Sequence, residues 1–171
     1  PSSSEGSLLM VADGMGGTDG GEIASSVAVR AIADYVCNVL PWVDASARAS
    51  DAPRTTLPGV RTGLHSALVQ GDSEVRRAAA QAGGTDMGTT VTVAYLVWPM
   101  LYVAHVGDSR CYVLRGGVLE QVTTDHTLAV RIRERAGIDI DESSPWHHIL
   151  WNALGGGEGA EIEPEVHSHV L

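Results

Sequence analysis

Apolar and polar positions follow two different periods along this chain, and the changes of period divide it into elements. Leu8 to Ala12 is a short unbroken apolar run, suited to a buried strand, that stops at Asp13. From Glu22 the period lengthens. Ile23, Ala24, Val27, Ala28, Ala31, Ile32, Tyr35, Val36 and Val39 fall on one side of a helix, with Ser26, Arg30 and Asp34 on the other. Pro41 ends it, which predicts a helix of about five turns lying against a sheet. Trp42 to about Pro58, rich in Ala, Ser, Asp and Pro, reads as a connection. A second helical region runs from Gly59 to Ala82, interrupted or bent at Gly71-Asp72.

Gly83 to Gly88 reads as a flexible loop, and the strongest β signal follows it. Thr89 to Trp98 is rich in β-branched residues, Pro99 supports a turn, and Leu101 to Val106 continues as an apolar run. Arg110 to Arg115 and Val118 to Val122 flank Gly116-Gly117, a two-residue turn suited to a tight hairpin. Consecutive antiparallel strands that are apolar on both faces suggest a sheet covered on both sides. Thr124-Asp125-His126 can cap a helix from Leu128 to Ala136 that Gly137 ends. Trp146 to Leu154 predicts one more short helix closed by glycines, and Glu165 to Leu171 alternates like a strand.

Composition narrows this picture. A length of 171 residues with 44% hydrophobic content is enough for one packed domain. The formal charge is −10, and all 11 basic residues are Arg. An acidic chain disfavours nucleic acid and anionic membranes as partners, and the absence of Lys excludes a Schiff-base lysine and a Walker-type phosphate loop. Cys37 and Cys111 stand among apolar neighbours and read as reduced core cysteines. With no apolar stretch of membrane-spanning length and no signal-like start, the expected location is the cytoplasm.

Candidate chemistry centres on Asp13. A strand that ends in Asp followed by Gly presents a carboxylate and a main-chain carbonyl at one point, the oxygen chemistry that hard divalent cations take. An isolated Asp-Gly is ordinarily only a turn signal, so its weight depends on its companions. Gly14, Gly16 and Gly17 do not form a dinucleotide fingerprint, because Asp19 stands where the last glycine belongs. Ser109 lies between two strands rather than on a strand-to-helix elbow, which disfavours a serine hydrolase. Asp108 has a structural alternative as a turn residue, and His126 reads as a helix-start residue rather than half of a catalytic pair. His167 and His169 share one side of a predicted strand but lack a third ligand at useful spacing. Arg131, Arg133 and Arg135 read as a solvated helix face.

The ordered set VADGMGG, GTTV (Gly88 to Val91), VGDSR (Val106 to Arg110), TTDH (Thr123 to His126) and ALG (Ala153 to Gly155) resembles the metal-dependent PP2C (PPM) family of protein phosphatases in its bacterial form. The likeness covers nearly the whole chain and implies an α+β fold, a four-layer α/β/β/α sandwich of antiparallel sheets flanked by helices. Residues 1–171 would be the core portion of one such domain, truncated at both ends. The implied reaction is hydrolysis of phosphoserine and phosphothreonine in proteins, with two Mg²⁺ or Mn²⁺ ions activating water and offsetting phosphoryl charge. By similarity, Asp13 is the catalytic and metal-binding carboxylate, Gly14 offers its carbonyl oxygen, and Asp108 helps hold a third, weaker metal. Ser109 and Arg110 would orient that loop.

Two departures accompany the likeness. The family's phosphate-gripping Arg and acidic pair would precede this chain, and its downstream Asp-Gly and Asp-Asn would follow it. Asp13, Gly14 and water alone carry too little negative charge to hold Mg²⁺ tightly. Met15 stands where eukaryotic members often have a His. The implied partners are a phosphorylated protein substrate and a serine/threonine kinase or its targets, with the domain a monomer. The alternative is a catalytically impaired PP2C-like domain that binds a phosphoprotein or partner without turning it over.

Overall fold

The structure, a computed structural model, describes residues 6–17, 19–40, 58–83, 86–156 and 161–171. The predicted connection over 42–58 falls almost entirely outside them. Its centre is a four-stranded antiparallel sheet built from β1 (Ser7–Val11), β4 (Val91–Val97), β5 (Met100–Val106) and β8 (Glu165–Val170), in the order β1-β4-β5-β8. The register pairs Leu9 with Ala94, Ala94 with Val103, and Val103 with His167. β5 is buried along its whole length, as an apolar run between two neighbouring strands should be.

One face of the sheet carries the helices α1 (Gly20–Asn38) and α2 (Pro58–Gln81). α1 buries Ala24, Ala28, Ile32 and Val36, a strict four-residue spacing that puts one narrow stripe against the core. α2 adds Val60, Leu64, Ala67, Leu68 and Val75, and the sheet adds Val91, Val93, Met100, Tyr102, Ala104 and Val106. Each buried Val, Leu, Ile or Met among them contributes about 1.5–3 kcal/mol by leaving water. On the opposite face of β1, Leu9 and Val11 remain exposed.

Two small sheets extend this core. β2 (Gly14–Gly16) pairs with β3 (Met87–Thr89), and β6 (Tyr112–Arg115) pairs with β7 (Val118–Gln121) around the Gly116-Gly117 turn. The helix α3 (Leu128–Ala136) follows, and Gly137 closes it in the left-handed conformation.

Several expectations need correction. α2 runs unbroken through Gly71-Asp72, because Gly71 lies against Ile32 of α1 and Leu154, where a side chain would meet them at 2.9 and 3.2 Å. Met87 and Gly88, expected in a loop, are strand residues held by β2. The cap of α3 is Thr127, whose hydroxyl accepts from the Val130 amide, since Asp125 and His126 have other partners. In place of a helix over Trp146 to Leu154 there is only a 3₁₀ turn, Pro145–His147. The rest of that segment gives its backbone to bridges, Leu150 with Thr127 and Leu154 with Thr89. Cys37 is exposed and Cys111 half-buried, and neither forms a disulfide. Arg131 is not simply solvated, for its guanidinium stacks 4.1 Å above the Trp151 ring, while Arg133 and Arg135 are exposed.

Candidate functional site

Asp13 occupies the step between β1 and β2, and its main chain is held at both polar groups. The Asp13 amide donates to the Thr90 hydroxyl at 3.1 Å. Its carbonyl accepts from the Thr90 amide and from the Thr89 hydroxyl, both at 3.0 Å. The carboxylate, exposed, makes no hydrogen bond or ion pair among the described residues. Gly14 is pressed against α1: a Cβ there would fall 1.9 Å from the Gly21 carbonyl oxygen, so only glycine permits this approach. Met15 follows in β2, opposite Gly88.

Asp108 lies at the same end of the sheet. On β4, Thr92 pairs with Val11 and Val91 pairs with Val106, so β1 and β5 flank β4 and run out together at one edge. The spacing of neighbouring strands puts the Asp13 and Asp108 segments roughly 10 Å apart across Thr90. Thr90 also joins them chemically, because its hydroxyl lies 2.7 Å from the Ser109 hydroxyl as well as accepting from Asp13. Asp108 is half-buried, and its carboxylate too has no partner among the described residues.

The Asp108 loop is braced from below. Gly107 has φ of +111°, a conformation that favours glycine, and an added Cβ would strike Thr90 at 2.6 Å. The Ser109 carbonyl accepts from the Thr92 hydroxyl at 2.7 Å. Arg110 donates through Nε to both carboxylate oxygens of Asp125, at 2.9 and 3.0 Å. Ser109 and Arg110 therefore serve the loop's shape, and the Ser109 hydroxyl is engaged by Thr90 rather than by a general base.

Two buried histidines lie beneath this edge, their rings 4.8 Å apart. His105 is placed between the Thr92 hydroxyl, 2.8 Å from Nδ1, and the Thr124 carbonyl, 3.1 Å from Nε2. The Thr124 carbonyl only accepts, so Nε2 carries the proton in the neutral ring and Nδ1 is an acceptor, which shares the single hydrogen of the Thr92 hydroxyl with the Ser109 carbonyl. Burial, helped by the neighbouring His126, pushes the His105 pKa down to about 4. His126 is 1% exposed, and burial lowers its pKa too, against the opposing pull of Glu165. Its Nε2 faces the Glu165 carboxylate at 3.4 Å, too long for a good hydrogen bond. Glu165 also meets His167 at 3.2 Å, which leaves His167 as its partner rather than as a metal ligand beside His169.

The oxygen chemistry at the sheet edge suits a hard divalent cation. Asp13 and Asp108 are both uncommitted carboxylates there, and their chain segments are fixed independently of any ligand. Among the described residues, no three His, Cys, Asp or Glu side chains lie close enough to form a complete cage, so a cation held there would need further ligands. A cavity of about 690 Å³ between α1 and α2 is lined by Arg30, Asp34, Glu74 and Arg77, and neither Asp13 nor Asp108 borders it.

The scaffold is an α+β fold with two uncommitted carboxylates at one edge of its antiparallel sheet. Residues 5–143 match the family described as Protein phosphatase 2C, and the chain belongs to that family. It is 32% identical over 162 residues to the serine/threonine phosphatase stp of Listeria monocytogenes, covering 93% of this chain and 60% of that protein. The chain thus spans well under two thirds of that relative. Among solved structures, the serine/threonine phosphatase PstP/Ppp of Mycobacterium tuberculosis is similar with a TM-score of 0.72 at 29% identity. That similarity covers 99% of this chain and 68% of the other. The PstP catalytic domain in complex with two manganese ions matches with a TM-score of 0.68, also at 29% identity, covering 99% of this chain and 67% of that one.

Signals for Asp13 and Asp108 were local and readable. The contacts made by Thr90, His126, Asn152 and Asp72 were not readable, because their partners lie far away in sequence. The Gly155 amide donates to Asp72 at 2.7 Å across 83 positions, and Asp72 also accepts from Arg76 Nε. The one available hint was an Asp beside a Gly in the middle of a helix.

Proposed function

We propose that the full-length protein is a metal-dependent hydrolase of phosphoserine and phosphothreonine in proteins. The observation that carries this reading is the state of Asp13, whose main chain is fixed by Thr89 and Thr90 while its carboxylate stays uncommitted at the sheet edge that also carries Asp108. Membership of the PP2C family and likeness to a manganese-bound PstP domain support it. Asp13, with the Gly14 carbonyl, would hold two Mg²⁺ or Mn²⁺ ions together with ligands from outside the described residues. Asp108 would help hold a third, weaker ion. When bound, such ions supply an activated water and offset the charge that develops on the phosphoryl group. No covalent protein nucleophile is needed, which agrees with the structural use of the Ser109 hydroxyl.

In this reading the substrates are products of serine/threonine kinases, and a monomer acts on them in the cytoplasm. The unpaired Cys37 and Cys111 fit a reducing compartment. Among the described residues no helix is long and apolar enough to cross a membrane.

The test is Mn²⁺-dependent hydrolysis of an aryl phosphate by the full-length protein. EDTA should abolish it, and Asp13→Ala should lower it by about a hundredfold or more, at or beyond what loss of an outer-shell partner costs. Hydrolysis that persists through either treatment would overturn the metal reading. Parallel assays on phosphoserine and phosphothreonine peptides would then set the substrate class.

A further inference from the structure

We propose that His126 is the positioning residue of the Asp108 loop, acting through Gly107 and aligned by Asn152. This rests on the reading that Asp108 belongs to the phosphatase site. His126 touches Gly107 at both ends of its peptide groups: Nδ1 accepts from the Gly107 amide at 3.1 Å, and the His126 amide donates to the Gly107 carbonyl at 2.8 Å. Two contacts of opposite sense fix a residue whose left-handed φ would otherwise leave it free to turn. Asp108 is the next residue, so its direction follows from that peptide.

The ring is in turn held from three sides. Asn152 Nδ2 donates to Nδ1 at 2.9 Å, while Asn152 is anchored to both the carbonyl and the amide of Glu163, at 2.8 and 3.2 Å. With two N–H donors pointing at it, Nδ1 must be unprotonated and Nε2 must carry the hydrogen toward Glu165. The Trp151 ring packs 4.9 Å from the imidazole, and the Trp151 amide donates to the His126 carbonyl at 3.0 Å.

The same short segment also reaches the other carboxylate. Leu154 exchanges two backbone hydrogen bonds with Thr89, both at 2.9 Å, and the Thr89 hydroxyl donates to the Asp13 carbonyl. Residues 151–155 therefore strap the Asp13 and Asp108 loops to one another, with His126 as the link on the Asp108 side.

Asparagine and glutamine at position 126 separate this role from simple packing. His126→Asn keeps an oxygen where Nδ1 sits and loses the Glu165 contact; His126→Gln keeps a polar group near Nε2 and loses the Gly107 acceptor. In the metal-free full-length protein, Gly107 amide hydrogen exchange should be protected in the wild type and in His126→Asn. It should quicken by roughly a hundredfold in His126→Gln and His126→Ala. Nitrogen NMR of the wild-type ring should show the Nε2–H tautomer. With Mn²⁺ and an aryl phosphate, His126→Gln and His126→Ala should lower turnover roughly tenfold, as should Asp108→Ala, and the double variant His126→Ala/Asp108→Ala should fall no further.

Additive losses in the double variant, full turnover in His126→Gln, the Nδ1–H tautomer, or fast Gly107 exchange in the wild type would each overturn the proposal. If Asp108→Ala keeps full turnover while Gly107 protection still depends on His126, the assignment of Asp108 is what fails, and the positioning role falls with it. Should His126→Ala not fold, the Asn and Gln pair and the wild-type tautomer still decide.

Discussion

Asp13 and His105 show two opposite ways in which a titratable side chain is used here. Asp13 spends its main chain on hydrogen bonds and leaves its charge in contact with solvent. His105 is completely buried and keeps itself neutral, with a folded pKa near 4 against an ordinary 6.5. The linkage follows directly: the unfolded chain takes up a proton at His105 as pH falls below about 6.5, and the folded chain does not until about 4. Stability from His105 is thus full above that upper value and is lost between the two. The span is on the order of 3 kcal/mol if nothing relaxes. Urea unfolding across this range should show the decline, and His105→Gln should flatten it. An unchanged slope in that variant would assign the acid sensitivity to His126, whose ring faces that of His105. Asp13 was legible in the sequence because an acidic residue ending an apolar strand is a local signal. The roles of His105 and His126 were not, since their hydrogen-bond partners lie 13 to 26 positions away.

At the scale of elements, strong periodicity made α1 readable, and the paired glycines made the β6–β7 hairpin readable. β2 and β3 left no such trace. Three-residue strands composed of Gly14, Met15 and Gly16 against Met87, Gly88 and Thr89 carry no alternation, and only pairing across the fold makes them strands. The segment before Leu154 failed for a related reason, because its apolar residues suited a helix while its backbone partners were already supplied by Thr127 and Thr89. Gly14 is where element packing and site coincide. Gly14→Ala should destabilise the protein by about 1–3 kcal/mol, since the methyl group must displace the Gly21 carbonyl. Chemical denaturation would measure it. A change within about 0.5 kcal/mol would mean that α1 can retreat without cost.

For the whole molecule, the acidic balance of −10 and the sheet-edge carboxylates point the same way. A cation that neutralises them should stabilise the folded form. In the full-length protein, Mn²⁺ at a hundred times its dissociation constant should add about 2.7 kcal/mol by mass action. A rise in Tm that disappears in Asp13→Ala would report it without any assay of turnover. Equal rises in both proteins would mean that the cation binds elsewhere.

The amino-acid sequence by itself determined the long helices, the central strands and the β6–β7 hairpin, the α+β class, the apolar stripe of α1, and Asp13 with Gly14 as the candidate oxygen donors. Those follow from neighbours a few positions apart, where spacing and side-chain type already fix the local choice. Only the tertiary structure decided that Asp13 and Asp108 run out at one edge, that Thr90 ties their loops together, and that His126 and Asn152 hold Gly107. The first two depend on the antiparallel register across β4, which brings residues 77 and 19 positions apart into hydrogen-bond contact, and the third on the packing of the segment after α3 against the end of β5. Strand pairing of that reach is set by burial of the whole helix–sheet core, a property that no short stretch of sequence carries.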